Sequence, residues 1–274
     1  SGYVDEPSSA QDLQLPAGDD SFGEPERAHK LVYRIHENQW ERVESTVAVG
    51  RKMFAWGAHR GCILVQDKND GQIHVIKKTF DADHPVENIY NDVKIEAIAD
   101  LMAQCYNARG PKLQVTFVPC FIYILAQRPK QPAVRVEPLI FNHDKAKMRH
   151  IPDVSQEELD TLDAFELFTY QESEKTFIVC NPSRVGEFWT EPEFHSVERK
   201  VEGQLGGSQN RGIKGINVFL LRHQYNETCR KVGLANPSSL YVETVTRQVL
   251  HDSSHRHRQR HTYTYTYTYT YTYT

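Results

Sequence analysis

Two β-branched runs, Cys62 to Gln66 and Ile73 to Lys77, separated by the turn-forming cluster Asn69-Asp70-Gly71, constrain this chain more than any other stretch. Asn, Asp and Gly tolerate the backbone of a tight turn, so the two runs are expected to pair as an antiparallel hairpin. Side chains alternate along a strand, which puts Ile73, Val75 and Lys77 on one face and Lys78 on the other. An inward-facing lysine needs an anionic partner, and nucleotide phosphates are one candidate. A solvated edge lysine is the other reading. Downstream, Ile89, Val93, Ala97, Leu101 and Cys105 recur every four residues until Gly110-Pro111, which predicts a helix.

Beyond it, Val115 to Leu125 and Val134 to Ile140 read as strands on either side of the turn Arg128-Pro129-Lys130-Gln131-Pro132. Ser155-Gln156-Glu157-Glu158 has capping-box form, and Leu159, Leu162, Phe165 and Phe168 continue at helical spacing. Lys175 to Cys180 reads as another strand. A last helix is expected from Ile213, with Ile216, Phe219, Leu220 and His223 on one side, stopping near Gly233. Together these elements indicate an α+β fold. The 274 residues suffice for two lobes with separate cores, set at 29–140 and 141–240.

Residues 1–28 mix Ser, Pro, Gly and acidic residues without apolar periodicity and read as a flexible leader. Residues 241–274 read as a low-complexity tail that closes on strict Thr-Tyr alternation. The net charge of −4 provides no basic field for nucleic acid, and the one basic run, His255 to His261, falls in that tail. The longest apolar run, Val115 to Ala126, is too short to span a bilayer and contains Pro119. Neither nucleic acid nor a membrane is therefore expected as a partner. Cys62, Cys105, Cys120, Cys180 and Cys229 are odd in number and widely spaced, which suits reduced thiols in a cytoplasmic protein. The start at Ser1, without methionine or a hydrophobic signal region, reads as a fragment.

The segment Phe54-Ala55-Trp56-Gly57-Ala58-His59-Arg60-Gly61-Cys62 offers glycines and an arginine that suit a phosphate loop, or equally an ordinary hairpin. In the C-terminal half, five blocks follow in order: Ala164-Phe165-Glu166-Leu167-Phe168-Thr169-Tyr170, Phe177-Ile178-Val179, Val185-Gly186, Thr190-Glu191-Pro192-Glu193-Phe194-His195 and His223-Gln224-Tyr225-Asn226-Glu227-Thr228-Cys229. They resemble the ordered blocks of the alpha-kinase family, which includes elongation-factor and myosin heavy-chain kinases. The similarity extends back through Val136-Glu137-Pro138, Asp92-Val93, Lys77 and the Phe54 to Cys62 loop.

That resemblance implies a two-lobed atypical kinase fold with ATP in the cleft, Lys77 as phosphate-binding lysine, and Gly57, Ala58 and Arg60 as phosphate loop. It implies Glu137 at the adenine-binding hinge and Gly207, Asn210, Gly212 and Gly215 in a late glycine-rich loop. Glu191 stands where the family has the aspartate that accepts the substrate proton, one methylene longer; a displacement of about 1 Å can lower a rate on the order of a hundredfold. Asn181 and Ser183 stand where the resemblance implies Mg²⁺ ligands, and a neutral amide and a hydroxyl hold Mg²⁺ less well than carboxylates. Ile98 replaces a helix glutamate, with Glu96 about 200° round the helix, which leaves Lys77 without its usual partner. His195, His223 and Cys229 match a structural Zn²⁺ set in which Tyr225 replaces a cysteine; zinc held with water or another side chain in the fourth place and packing without metal stay open as readings. The implied function is a serine/threonine protein kinase that uses ATP and acts on a protein substrate. The alternative is a pseudokinase that binds nucleotide or a partner without catalysis.

Overall fold

The computed structural model describes residues 21–56, 60–81, 84–140, 155–185, 187–197 and 210–237. The chain divides into two compact units, Ser1–Leu234 and Ala235–Thr274, and every element below belongs to the first. Its N-terminal lobe is built from β1 (Glu26–Arg34), β2 (Gln39–Trp56), β3 (Arg60–Asp67), β4 (Ile73–Thr79), α1 (Val86–Asn107), β5 (Phe121–Leu125) and β6 (Ala133–Pro138). The strands form a closed barrel in the order β1-β2-β3-β4-β6-β5, with β5 pairing back onto β1.

β3 and β4 make the expected hairpin, with Cys62 opposite Lys77. Val47, Val65, Ile76, Tyr123 and Val136 fill the barrel interior. Because side chains alternate, burying Ile76 and Val136 inside turns Lys77, Arg135 and Glu137 to the outer face. Cys62, Leu64 and Val75 pack together on that face. The β1–β2 hairpin has no counterpart among the expected elements, and β1 starts at Glu26, inside the stretch read as leader. Its charged residues hide the pattern, since Ala28 and Leu31 are its only buried side chains.

α1 covers the predicted span but buries a different face. Ile89 and Val93 meet Leu31, Ile122 and Trp40 of the barrel, whereas Cys105 is exposed and Ile95, Glu96, Ala99, Ala103 and Tyr106 are buried instead. Tyr106 explains the rotation: its ring stacks edge-on against Phe165 and Phe168 of the second lobe, so the end of α1 packs on a helix rather than on the barrel.

The C-terminal lobe contains α2 (Gln156–Glu172), β7 (Phe177–Cys180), β8 (Ser183–Val185), β9 (Phe188–Thr190), β10 (Glu193–Ser196), α3 (Ile213–Arg222) and α4 (Glu227–Lys231). The capping box at Ser155 forms as expected: its hydroxyl accepts from the Glu158 N–H while the Glu158 carboxylate accepts from the Ser155 N–H. β7 pairs antiparallel with β10, and β8 with β9. The last helix is not continuous to Gly233. The chain becomes extended at His223 (ψ 130°), and Asn226 caps a new helix by accepting from the Cys229 N–H at 3.0 Å. The lobes are tied at Trp189, whose N–H donates to the Thr116 carbonyl while its own carbonyl accepts from the Val118 N–H, both at 2.9 Å. This tie carries Thr190 and Glu191 to the outer face of the barrel. Among the described residues, no helix is long and apolar enough to cross a membrane.

Candidate active site

Lys77 keeps 12% of its side-chain surface and lies 3.5 Å from Glu137 Oε2 and 3.7 Å from Glu191 Oε1. The solvated-edge reading of this lysine therefore fails, and so does the expectation that it lacks a partner. Its partners come from β6 and from the loop after β9, not from α1. Glu191 adopts a left-handed backbone (φ 54°), a conformation that costs about 1–3 kcal/mol for a non-glycine residue and clusters at functional sites. Its carboxylate also faces Arg60 Nη1 at 3.4 Å, and Arg60 Nη2 reaches Asp92 of α1 at 2.7 Å.

Arg135 sits at the centre of this cluster. Its Nη2 donates to Glu137 at 2.6 Å and reaches Glu96 and the Thr190 hydroxyl at 3.4 Å, while Nε donates to the Cys120 sulfur at 3.0 Å. The Thr190 hydroxyl donates to Glu137 at 3.1 Å. Sequence reasoning missed Arg135, although Val134-Arg135-Val136-Glu137 alternates and so puts Arg135 and Glu137 on one face. Glu137, expected at a hinge, is buried in this ion network. Glu96, judged a poor partner for Lys77, is 2% exposed and faces Arg135.

Each charge is tuned by its neighbours. Burial works against the ionised form of Glu191, but Arg135, Lys77 and Arg60 outweigh it and hold the carboxyl below the usual range. Burial opposes the charge on Lys77 as well, and Glu137 and Glu191 overcome it, so the amine is held above its ordinary value. Burial pushes Glu96 up to about 8 despite Arg135, which favours its protonated form. Arg60, Lys77 and Arg135 then face the carboxylates of Asp92, Glu137 and Glu191, and the cluster is balanced without Glu96. A cavity of about 360 Å³ opens beside Lys77, Arg60, Asp92 and Arg135, within the size range of small-ligand pockets.

Two expected outcomes follow from burial. Arg135→Met removes the buried cation hydrogen-bonded to Glu137, leaving that carboxylate with Lys77 as its remaining cation, and should lower stability by roughly 3–5 kcal/mol, read by urea denaturation. The folded chain keeps the Glu96 proton up to about pH 8, whereas the unfolded chain releases it near 4.5. The folded state thus binds the extra proton, and stability should fall as pH rises from 4.5 to 8, by on the order of a few kcal/mol. Glu96→Gln should flatten that slope in denaturation curves across this range.

Asn181 and Ser183 do not join Lys77. Asn181 is exposed, also left-handed (φ 50°), and its backbone N–H donates to Glu166 at 2.7 Å. It lines a second cavity of about 180 Å³ with Cys180, Glu193, His195, Gly215 and His223. Ser183 is exposed and pairs with Thr190 across β8 and β9. Gly212 caps α3 with a positive φ of 63° that favours glycine. Gly57, Ala58 and Gly207 lie outside the described residues.

The implied zinc ligands are only partly gathered. His223 Nε2 and Cys229 Sγ are 3.7 Å apart. His195 does not complete a three-ligand group with them; among the described residues it stands with Cys180 and Glu193. Tyr225, in the place of a cysteine, donates its hydroxyl to the Leu234 carbonyl at 2.6 Å. His195, His223 and Cys229 are thus not gathered into one ligand set.

The barrel, the helical lobe and the ion cluster between them form a two-lobed α+β domain. The Alpha-kinase family model matches residues 55–229. The chain belongs to the alpha-kinase family. Alpha-protein kinase 1 of Dictyostelium discoideum is 27% identical over 224 residues, which are 81% of this chain and 16% of that protein. Eukaryotic elongation factor 2 kinase of Mus musculus is 26% identical over 221 residues, 76% of this chain and 30% of that protein. The chain thus spans a minor part of each relative's length. Among solved structures, the apoenzyme alpha-kinase domain of myosin-II heavy chain kinase A matches with a TM-score of 0.64 and 21% identity, over 77% of this chain and 97% of that one. An inactive variant of the same domain in complex with ATP matches with a TM-score of 0.64 and 22% identity, over 79% and 99%. At these identities the structural likeness establishes the fold.

Proposed function

We propose that this chain is an ATP-dependent protein kinase domain in which Lys77 and Arg60 hold phosphate oxygens and Glu191 accepts the proton of a substrate serine or threonine hydroxyl. The observation that carries this reading is the contact of Lys77 with Glu191 across the two lobes, 3.7 Å apart beside an open cavity. Here Glu191 occupies the same amine and guanidinium that phosphates would engage. Phosphate oxygens compete with that carboxylate for the two cations, and a carboxylate released from them regains basicity. Lys77 and Arg60 would then offset charge on the transferred group, which is most of what phosphoryl transfer needs.

A second reading, a pseudokinase that binds nucleotide without turnover, is favoured by Asn181 and Ser183. Both are exposed and neither offers a carboxylate, so this pair would hold Mg²⁺ less well than carboxylates do. The test is to incubate the chain with Mg²⁺, labelled ATP and a generic basic protein, and to measure thermal stability with nucleotide in parallel. Label on the protein supports the kinase. Stabilisation without label supports the pseudokinase, and neither outcome leaves both readings without a nucleotide.

A further inference from the structure

We propose that the chain binds a zinc ion on Cys180, Glu193 and His195, at the boundary of β7, β10 and α3, instead of on His195, His223 and Cys229. The β7–β10 register sets Glu193 directly opposite Cys180, and His195, two residues on, shares its face. The ligating atoms of all three lie within 4.8 Å of one another. His195 Nε2 and Glu193 Oε2 are 3.5 Å apart, already the spacing of roughly 3.3–3.6 Å between neighbouring ligands of tetrahedral zinc at its usual bond lengths.

The imidazole is oriented for this task. Its Nδ1 lies 3.0 Å from the Phe194 carbonyl and 3.3 Å from the Arg211 N–H. With Nδ1–H donating to the Phe194 carbonyl, the arrangement that metal-bound histidines use, the Nε2 lone pair is left for a cation; the Arg211 N–H donates to Nδ1 only in the other tautomer, with the proton on Nε2. On the other side, a Cβ built at Gly215 would meet His195 Cδ2 at 2.2 Å, so α3 presses on the ring only because that residue is glycine. The cavity of about 180 Å³ beside the three ligands also takes in Asp163 and His223, which leaves room for water in a fourth position. One sulfur, one imidazole and one carboxylate suit zinc, whereas Mg²⁺ and Ca²⁺ take oxygen ligands.

Metal content and cobalt spectroscopy on the full chain test this, with zinc and then Co²⁺ added after chelator treatment. Wild type and Cys229→Ser should each hold about one zinc and show a thiolate-to-cobalt charge-transfer band. Cys180→Ser should lose the band and bind zinc at least about tenfold more weakly. Glu193→Gln, at a partly exposed position, guards against a folding defect: it should weaken zinc by a similar factor while keeping the band. Metal and band that follow Cys229 while Cys180→Ser retains them would overturn the assignment, as would a wild-type chain that takes up no zinc.

Discussion

Lys77→Met should weaken nucleotide binding on the order of 10–100-fold, because it deletes a charge-assisted contact to phosphate worth about 1.5–3 kcal/mol. Any phosphoryl transfer should fall by at least on the order of a hundredfold, since the phosphates lose their placement. The fold should survive. Arg135 still holds Glu137 and Arg60 still holds Glu191, so the loss of stability should be roughly 1–3 kcal/mol. Titration calorimetry with ATP, beside a denaturation curve of the same variant, separates the two effects. Unchanged nucleotide affinity in a folded Lys77→Met chain would remove the amine from the site.

Glu191→Ala divides binding from chemistry. If Glu191 takes the hydroxyl proton, its removal should lower phosphate incorporation on the order of 10²–10⁴-fold. Nucleotide affinity should move the other way. The carboxylate competes with phosphates for Lys77 and Arg60, and removing it should tighten ATP binding on the order of tenfold, about 1.4 kcal/mol. Equal label incorporation by wild type and Glu191→Ala would take the proton-accepting role from this residue. Tighter binding with no incorporation by either chain is the result expected of a pseudokinase.

Local signals in the sequence carried the β3–β4 hairpin, the two strands flanking the turn at 128–132, the capping box of α2 and the extent of α1, although the first of those strands begins at Phe121 and not at Val115. Each of those is decided within a few residues by turn chemistry or by a cap. The features that failed depend on contacts far apart in the chain. β1 buries only Ala28 and Leu31 along its length, so its pattern is faint, and closure of the barrel needs β1 to find β5, which no local pattern encodes. The face of α1 could not be read from its aliphatic spacing, because Tyr106 docks on α2 and Glu96 is drawn under Arg135. The angle between Glu96 and position 98 was sound geometry applied to the wrong face.

The candidate site divides in the same way. Lys77 follows from strand alternation, and Glu191 follows from the family resemblance; neither states that the two side chains meet. Their contact depends on the Phe117–Trp189 bridge, which joins residues distant in sequence. Arg135 was missed, and Asp92 and Thr190, although within the blocks that carry the resemblance, were given no role, for the same reason: each is defined by the charge across from it. The grouping of Cys180 with Glu193 likewise exists only through the β7–β10 register.

A structure of the chain with a non-hydrolysable ATP analogue probes the shared site most directly. Phosphate oxygens within hydrogen-bonding reach of Lys77 Nζ and the Arg60 guanidinium, with the Glu191 carboxylate moved off both, are the expected result. An analogue bound elsewhere, with the Lys77, Arg60 and Glu191 contacts unbroken, would contradict it.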